Sequence, residues 1–159
     1  MAKHKQSNNL ATAEITAKLG RLEALLSGDM SDIMRGIAGI LEDDVEEAFE
    51  NEWNPSTHEK WAHLDADTIK QRKAKGKWPG DILRVEGNLA SRVTSDYGRK
   101  FSRVGVKSAG VDDYAPAMQF GRPDKNTPAR PYLPFDGLHP DKIDEILDFV
   151  DSELAKALA

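Results

Sequence analysis

The sequence predicts an α+β fold, in which a small antiparallel sheet packs with several helices on one face. Three observations support this class. Apolar residues recur every three or four positions in two segments near the amino terminus and in one at the carboxyl terminus, as in amphipathic helices. In residues 91 to 107, apolar and polar side chains tend to alternate on both sides of a polar turn, which is typical of a β-hairpin. Residues 114 to 135 follow neither period and predict an irregular segment.

Residues 1 to 10 are polar and begin with basic residues, so we predict a mobile arm. From residue 12 an apolar stripe predicts a short helix that stops at Ser27-Gly28; it comprises Ile15, Leu19, Leu22, Leu25 and Leu26. The chain is therefore divided into an amino-terminal arm and helix, residues 1 to 30, and one α+β domain, residues 31 to 159.

A second helix, the longest, begins at Asp29 or Ser31, either of which can cap its amino terminus. Its apolar stripe lasts five turns, and acidic side chains occupy the other faces. Residues 42 to 52 contain seven acids and no base. Gly36 and Gly39 lower the helix propensity there, and we expect them to permit close contact with a neighbouring element.

The sequence of the middle of the chain predicts a loop and two short helices. Residues 51 to 64 form a loop anchored by Trp53 and Trp61. A helix follows from residue 65 to 75, with acids at its first turn and lysines at its last, as the helix dipole favours, and it stops at Gly76. Residues 81 to 89 predict another short helix.

The hairpin pairs residues 91 to 95 with residues 100 to 107, and its predicted inward side chains are Val93, Phe101, Val104 and Val106. Beyond it we predict a helical turn at Tyr114–Phe120 and a short strand at Pro131–Phe135. A final helix begins near Pro140, and its apolar stripe requires a sheet or a helix to cover it.

Composition limits the function classes. The chain has 159 residues, of which 39% are hydrophobic and 31% charged. A helix that spans a membrane needs about 20 consecutive apolar residues, and no apolar run in the sequence approaches that length. The first residues lack the apolar core of a signal peptide, and no cysteine is present, which excludes disulfides and thiol chemistry. We therefore expect no membrane partner.

No arrangement typical of catalysis is visible in the sequence. His58 and His63 resemble part of a zinc-protease motif, but five residues of helix separate them by about 140°, so they cannot share a metal ion there. Neither a nucleophile elbow nor a glycine-rich phosphate loop occurs. We predict no catalytic residue, no metal ligand, no cofactor and no enzymatic activity.

The charge is unevenly distributed along a chain whose formal net charge is −5. Residues 69 to 103 carry ten Lys or Arg and three acids. This basic stretch, beside Trp78, suits contact with nucleic acid, and its candidate DNA-facing residues are Lys70, Arg72, Lys73, Lys75 and Lys77. The alternative is a solvated helix end whose lysines complement the helix dipole.

The segment from residue 114 to 135 predicts a rigid docking surface. It contains five of the eight prolines, two of the three tyrosines and two of the five phenylalanines, so large rings stand on a stiff backbone. An arginine within it could clamp a carboxylate of this chain or of a neighbour. The alternative is that the rings fill this chain's own core, which we favour for Phe120 and Phe135. The interface candidates are Trp53, Trp78, Tyr114, Phe120, Arg130 and Tyr132.

Two motifs in this segment, Tyr114-Ala115-x-x-x-Gln119-Phe120-Gly121 and Pro128-Ala129-Arg130-Pro131-Tyr132-Leu133, carry a resemblance. The chain resembles the phage virion morphogenesis family, the Mu-like and tail completion proteins of long-tailed phages. Upstream residues agree in order: Trp53, Leu64 and Thr68, then Ile82-Leu83, Gly87-x-Leu89 and Val104-Gly105. The resemblance covers about residues 45 to 150 and leaves the first thirty outside.

The resemblance implies a tail-terminator-like domain with an amino-terminal helical extension. It also implies a structural virion protein, assembled in the host cytoplasm, that completes the tail or joins it to the head at the neck. The partners implied are other copies in a ring, six in related tail terminators, head-side connector and tail tube or terminator proteins, and double-stranded DNA bound without sequence preference. The alternative function is a small nucleic-acid-binding adaptor that uses residues 69 to 103.

Overall fold

The computed structural model describes residues 2 to 84, 89 to 107 and 114 to 159, with side chains from residue 13 onward. Five helices and a two-stranded antiparallel sheet account for the regular structure of these residues, which confirms the α+β class. They are α1 (Ala2–Ser27), α2 (Ser31–Asn51), α3 (Ala66–Ala74), β1 (Val93–Tyr97), β2 (Ser102–Val106), α4 (Tyr114–Phe120) and α5 (Pro140–Leu158).

Helix α1 is longer than predicted, and with 26 residues against 21 it, and not α2, is the longest helix of the described residues. It begins at Ala2, so the arm predicted for residues 1 to 10 is helical over the described residues. The reason lies in the sequence, because residues 2 to 12 contain neither glycine nor proline and nothing stops the helix from continuing. Residues 13 to 20 are all exposed, while Leu22 and Leu25 are half-buried near the end of α5.

Helix α2 begins at Ser31 as expected, but its N-cap is Met30, which makes no side-chain capping bond, so the prediction of Asp29 or Ser31 as the cap is wrong. The Asp29 carboxylate accepts a hydrogen bond from the backbone N–H of Ser31 at 2.9 Å and thereby satisfies one of the free donors of the first turn. The helix ends at Glu52, which adopts a left-handed conformation with φ 53° and lets the Trp53 N–H bond back to the Ala48 carbonyl at 3.1 Å.

Helix α2 lies between α5 and the hairpin. Gly36 and Glu47 face α5, whereas Met34 and Glu42 hydrogen-bond to serines of the hairpin, through Ser102 and Ser95. The two pairs of positions are about half a turn apart on the helix, so the hairpin and α5 cover opposite sides of α2. Since α2 is covered on both sides, it is the central element of the fold.

The hairpin is confirmed with a shifted turn. Val93 pairs with Val106 and Tyr97 pairs with Ser102, so the four-residue loop is Gly98 to Phe101 rather than residues 96 to 99. Val93, Val104 and Val106 pack against the core as predicted. Phe101 was wrongly predicted to face inward: it lies in the loop and is 49% exposed.

Residues 81 to 84 are not helical, contrary to the prediction, and residues 85 to 88 lie outside the described part of the chain. Side chains satisfy the backbone here in place of a helix. Arg72 donates to the carbonyls of Asp81 at 2.8 Å and Ile82 at 2.6 Å, and Glu52 accepts a hydrogen bond from the Ile82 N–H at 2.6 Å. This bracing allows Ile82 and Leu83 to be buried.

The core is built around three rings. Phe49 of α2 lies 5.8 Å from Trp61 and 5.5 Å from Tyr132, measured between ring centres. These are the distances at which aromatic pairs attract beyond simple burial. The loop after α2 and the proline-rich segment are therefore both anchored to α2 through its last turns, and the predicted anchoring of Trp61 is confirmed.

The two glycines of α2 behave differently. A Cβ on Gly36 would overlap the ring of Phe149 in α5, whereas a Cβ on Gly39 would meet no atom within 4 Å. The expected close contact is therefore confirmed for Gly36 and wrong for Gly39.

This difference gives a matched pair of predictions. Gly36→Ala should lower the free energy of unfolding by about 1–3 kcal/mol, because Phe149 must move. Gly39→Ala should raise it by about 0.5–1 kcal/mol, since only helix propensity changes. Urea unfolding of both variants measures the two effects, and a stabilised Gly36→Ala protein would show that α5 does not pack closely on α2.

A buried carboxyl group lies between α2 and α5. Asp44 is 1% exposed, and its Oδ2 atom has no hydrogen-bond partner among the described residues. The charged groups that act on it are Lys142, which favours its ionised form, and Glu47 and Glu145, which oppose it. Lys142 itself contacts Glu47 at 3.4 Å and Glu145 at 2.9 Å. Burial raises the pKa of Asp44 from 3.8 to about 6, and the nearby Lys142 limits the rise.

We expect this group to make stability depend on pH. The folded protein keeps a proton on Asp44 that the unfolded chain has already released, so the free energy of unfolding falls as pH rises from about 4 to about 6. The full difference is about 3 kcal/mol at about 1.4 kcal/mol per pKa unit. Asp44→Asn should remove this fall in urea unfolding across pH, while Asn at the exposed neighbour Asp43 should not. An unchanged fall in Asp44→Asn would refute the assignment.

Candidate protein-protein interface

The proline-rich segment is held together by one buried amide side chain. Gln119, at the end of α4, is 4% exposed. Its Oε1 atom accepts hydrogen bonds from the backbone N–H groups of Tyr132 and Leu133, each at 3.0 Å, and its Nε2 atom donates to the Leu133 carbonyl at 3.0 Å. The side chain thus satisfies backbone groups that would otherwise pair with a neighbouring strand. The strand predicted at Pro131–Phe135 does not form.

Arg130 fixes the same segment to the loop after α2. It is 6% exposed, and its guanidinium donates to the carbonyls of Ala62 at 2.9 Å and His63 at 3.2 Å. The partners are backbone carbonyls of this chain, not the carboxylate that the sequence suggested. Burial lowers the pKa of Arg130, but a guanidinium remains charged at any ordinary pH.

Tyr132 is the third buried side chain that holds the segment, and we call Gln119, Arg130 and Tyr132 together the frame. It is 2% exposed, and its hydroxyl donates to the Ala115 carbonyl at 3.2 Å, which links the two motifs of the segment. Burial raises the pKa of Tyr132 to about 12, so the hydroxyl stays protonated and remains a donor. On the other side, the indole N–H of Trp61 donates to the Pro131 carbonyl at 2.6 Å.

Phe120 and Phe135 lie on the outer side of this frame. Their rings meet edge to face at 5.2 Å, yet Phe120 is 60% exposed and Phe135 is 66% exposed. The expectation that these two rings fill the core is therefore wrong. The reason is visible in the frame, because Gln119 and Tyr132 already occupy the inward positions of the segment. Tyr114, at the start of α4, is 45% exposed.

A shallow groove of about 520 Å³ adjoins Phe120. It is lined by His63 and Asp65 on one side and by the loop from Gly121 to Arg130 on the other. The loop closes tightly, because Gly121 adopts φ 75° and a Cβ there would lie 2.8 Å from the backbone nitrogen of Ala129. We call the groove together with Phe120 and Phe135 the aromatic surface.

The two tryptophan candidates lie elsewhere. Trp53 is half-buried and stacks on His58 at 4.3 Å, with the Lys60 ammonium 5.4 Å from its ring centre. Among the described residues, its buried indole N–H finds no hydrogen-bond partner. Trp78 is half-buried in the turn after α3. Of the six interface candidates, the structure thus exposes Phe120 beside the groove and Tyr114 at the other end of α4, buries Arg130 and Tyr132, and places the tryptophans elsewhere.

One group of side chains has the composition of a metal site. The ligand atoms of His58, His139 and Asp141 lie within 4.8 Å of one another. The two imidazole rings, however, stack at 3.7 Å with 15° between their planes. Lone pairs in parallel planes cannot meet at one ion at the about 2.0–2.1 Å of a zinc–nitrogen bond. His139 instead caps α5 by accepting a hydrogen bond from the Asp141 N–H at 3.3 Å.

The basic candidates lie on α3 and the turn that follows it. Lys70, Lys73, Lys75 and Lys77 are exposed, whereas Arg72 is half-buried and bonded to the carbonyls of residues 80 to 82. Arg72 therefore has a structural role that the sequence did not reveal. The four lysines together form a positively charged surface.

Sequence reasoning missed two residues of the aromatic surface and its frame. Gln119 was recognised only as part of a motif, although a glutamine between apolar positions of a short helix is a signal for a buried hydrogen-bonded amide. Phe135 was assigned to the core. Its position after Pro134, beyond the last buried ring of the segment, was the signal that it could point outward.

Exposed rings on a frame braced by buried hydrogen bonds are typical of a protein that acts by docking to other proteins. Among the described residues, no helix has the length and hydropathy needed to cross a bilayer. The chain belongs to the phage virion morphogenesis family, whose model matches residues 10–155. It is thus a phage protein of virion assembly. The match includes most of α1, which the sequence-based resemblance had left outside.

Two relatives extend over most of the chain. It is 35% identical over 147 residues to the Mu-like prophage FluMu G protein 1 of Haemophilus influenzae, covering 91% of this chain and 92% of that protein. It is 33% identical over 132 residues to the putative capsid assembly protein G of Escherichia phage Mu, covering 79% and 80%. No solved structure matches the chain.

Proposed function

We propose that this chain is a structural part of the virion that completes the tail, or joins the tail to the head at the neck, by assembling in a ring around the DNA passage. Its proposed partners are further copies of itself, six to a ring, together with head-side connector and tail tube or terminator proteins. It works through contacts alone, without catalysis or cofactor.

The aromatic surface is the observation that carries this proposal. Phe120 and Phe135 expose most of their area although buried hydrogen bonds from Gln119 hold the segment beneath them, so they are not the remainder of a poorly packed core. Burying a ring of this size contributes about 1.5–3 kcal/mol. Two such rings side by side can therefore dominate the affinity of an interface.

The charge distribution supports contact between copies in one orientation. Helix α5 carries six acids and two lysines, whereas residues 92 to 107 carry five Lys or Arg and one acid. These two regions cover opposite sides of α2. Complementary charges on opposite sides favour head-to-tail contact, and such contacts close into a ring when the rotation between copies permits it.

Locating the chain in purified particles tests the proposal directly. A phage that carries an epitope tag at residue 159 should show antibody gold at the junction of head and tail, and mass spectrometry should find several copies per particle. Label confined to unassembled protein in the lysate, with particles free of the chain, would overturn the proposal.

The lysines of α3 and the following turn give a separate prediction about DNA. Replacing Lys73, Lys75 and Lys77 together by Gln should weaken DNA retention and reduce the slope of log K against log salt by about 0.9 for each phosphate that is no longer neutralised. Arg72 is left unchanged because it holds the 80–82 backbone. Lys18→Gln on α1 serves as the control. An unchanged slope, measured by fluorescence anisotropy, would show that DNA does not contact α3.

A further inference from the structure

Helix α1 has an apolar stripe that no described residue of its own chain covers. Ile15 is 59% exposed, Leu19 60% and Leu26 46%, and every residue from 13 to 20 is exposed. With the half-buried Leu22, the stripe occupies positions i, i+4, i+7 and i+11, which is one face of a helix. Its sides carry charged residues.

Helix α5 has a second uncovered stripe. Ile143 is 43% exposed and Leu147 is 55% exposed, and the stripe continues through the half-buried Val150 and Leu154. The face that packs on α2 lies beside it and contains Lys142 and Phe149. The exposed part of the stripe is therefore in the amino-terminal half of α5.

The two stripes match in spacing. Both occupy positions i, i+4, i+7 and i+11, so each is about 16 Å long at about 1.5 Å per residue, and the side chains of one can fit between those of the other. Along the stripe, residues 14 to 26, α1 is neutral, with Lys18 and Arg21 balancing Glu14 and Glu23, whereas α5 contains six acids and two lysines. Lys18 and Arg21 are exposed and can therefore meet acids of α5 beside the apolar contact.

Helix α1 does not cover this stripe in its own chain. Leu25 borders a groove with Glu153, Lys156 and Ala157, so α1 touches its own α5 near the carboxyl end. The uncovered Ile143 and Leu147 lie two to three turns away from that contact. A second copy has the same stripe available.

We propose that α1 of one copy packs on the Ile143–Leu147 flank of α5 in the next copy, so that neighbours in the assembly are joined by an exchanged helix. The proposal rests on the self-association proposed above and names the contact that makes it. It agrees with head-to-tail contact, in which the acidic α5 side of one copy faces its neighbour. An open exchange of this kind needs no rearrangement of the core.

Engineered cysteines test the contact sharply, because the chain has none of its own. Two variants of different mass are mixed, a tagged chain with Leu19→Cys and an untagged chain with Leu147→Cys. A short bismaleimide reagent should cross-link them into a heterodimer. Both positions are exposed, so neither change disturbs the fold. The control combines Leu19→Cys with Gln71→Cys in α3, which is also exposed but lies outside both the apolar stripes and the charged regions proposed to meet.

The same test in assembled particles separates the two proposals. A double variant, Leu19→Cys with Leu147→Cys, should give a ladder of cross-linked multimers from purified virions. A chain present in virions that stays at monomer mobility, or that cross-links no better than the Gln71 control, overturns the exchanged helix and leaves the structural role standing. A chain absent from virions overturns the proposed function itself. Cross-linking only to a different virion protein would show that the occupant of the stripe is not a second copy.

Discussion

A phage whose only copy of this chain carries Phe120→Ser and Phe135→Ser should produce at least about a hundredfold fewer infectious particles, with heads and tails left unjoined or tails incomplete. The two rings are exposed, and their burial in an interface is worth about 3–6 kcal/mol together. Losing that much weakens an interface by a factor of about 10²–10⁴. Plaque counts and electron microscopy of the lysate measure the effect.

The purified double variant should still fold, because neither ring belongs to the core. Its thermal midpoint should lie within a few degrees of that of the parent chain. Phe101→Ser changes a ring that is also about half exposed but lies in the hairpin, and so tests the charge-based contact between copies separately. Normal particles from the double variant would show that the aromatic surface is not the docking site.

Gln119→Leu should be among the most destabilising single substitutions in the chain. It removes the acceptor of two buried N–H groups and the donor to one carbonyl, and each unsatisfied group costs about 1–3 kcal/mol. We expect the free energy of unfolding to fall by about 3–5 kcal/mol, which is at the high end for a point mutation. Urea unfolding measures this loss directly.

The same exchange at the exposed Gln71 of α3 is the control, and it should change stability by less than about 0.5 kcal/mol. If Gln119→Leu were as stable as the parent, the amide would not be holding the segment. The effect on particles should follow stability, because the frame positions Phe120 and Phe135 for contact.

The helices and the hairpin could be predicted because the spacing of apolar residues that specifies each of them lies within its own segment of sequence. Apolar spacing located α2, α3 and α5, and the acids near their starts, Asp29 for α2 and Asp65 for α3, indicated where α2 and α3 begin to within two residues. Asp65 is the N-cap of α3, a role that the dipole argument did not assign to it. The extent of α1 was missed because its first residues are polar, and polarity was taken for disorder although no helix-breaking residue is present. Composition alone does not distinguish a polar arm from a polar helix.

The proline-rich segment could not be predicted in the same way, because its structure depends on contacts across the sequence. The strand expected at Pro131–Phe135 is replaced by hydrogen bonds from the side chain of Gln119, which lies 13 residues before Tyr132 and 14 before Leu133. Arg130 reaches the carbonyls of residues 62 and 63. Once these polar groups take the inward positions, Phe120 and Phe135 must point outward, which hydrophobicity alone does not reveal.

Electron microscopy of particles made without this polypeptide tests the central claim most directly. A phage with a stop codon early in the gene should yield DNA-filled heads and tails that remain separate, or tails of abnormal end structure, and supplying the parent chain from a plasmid should restore joined particles. Normally joined, infectious particles from the mutant phage would contradict a structural role at the head–tail junction.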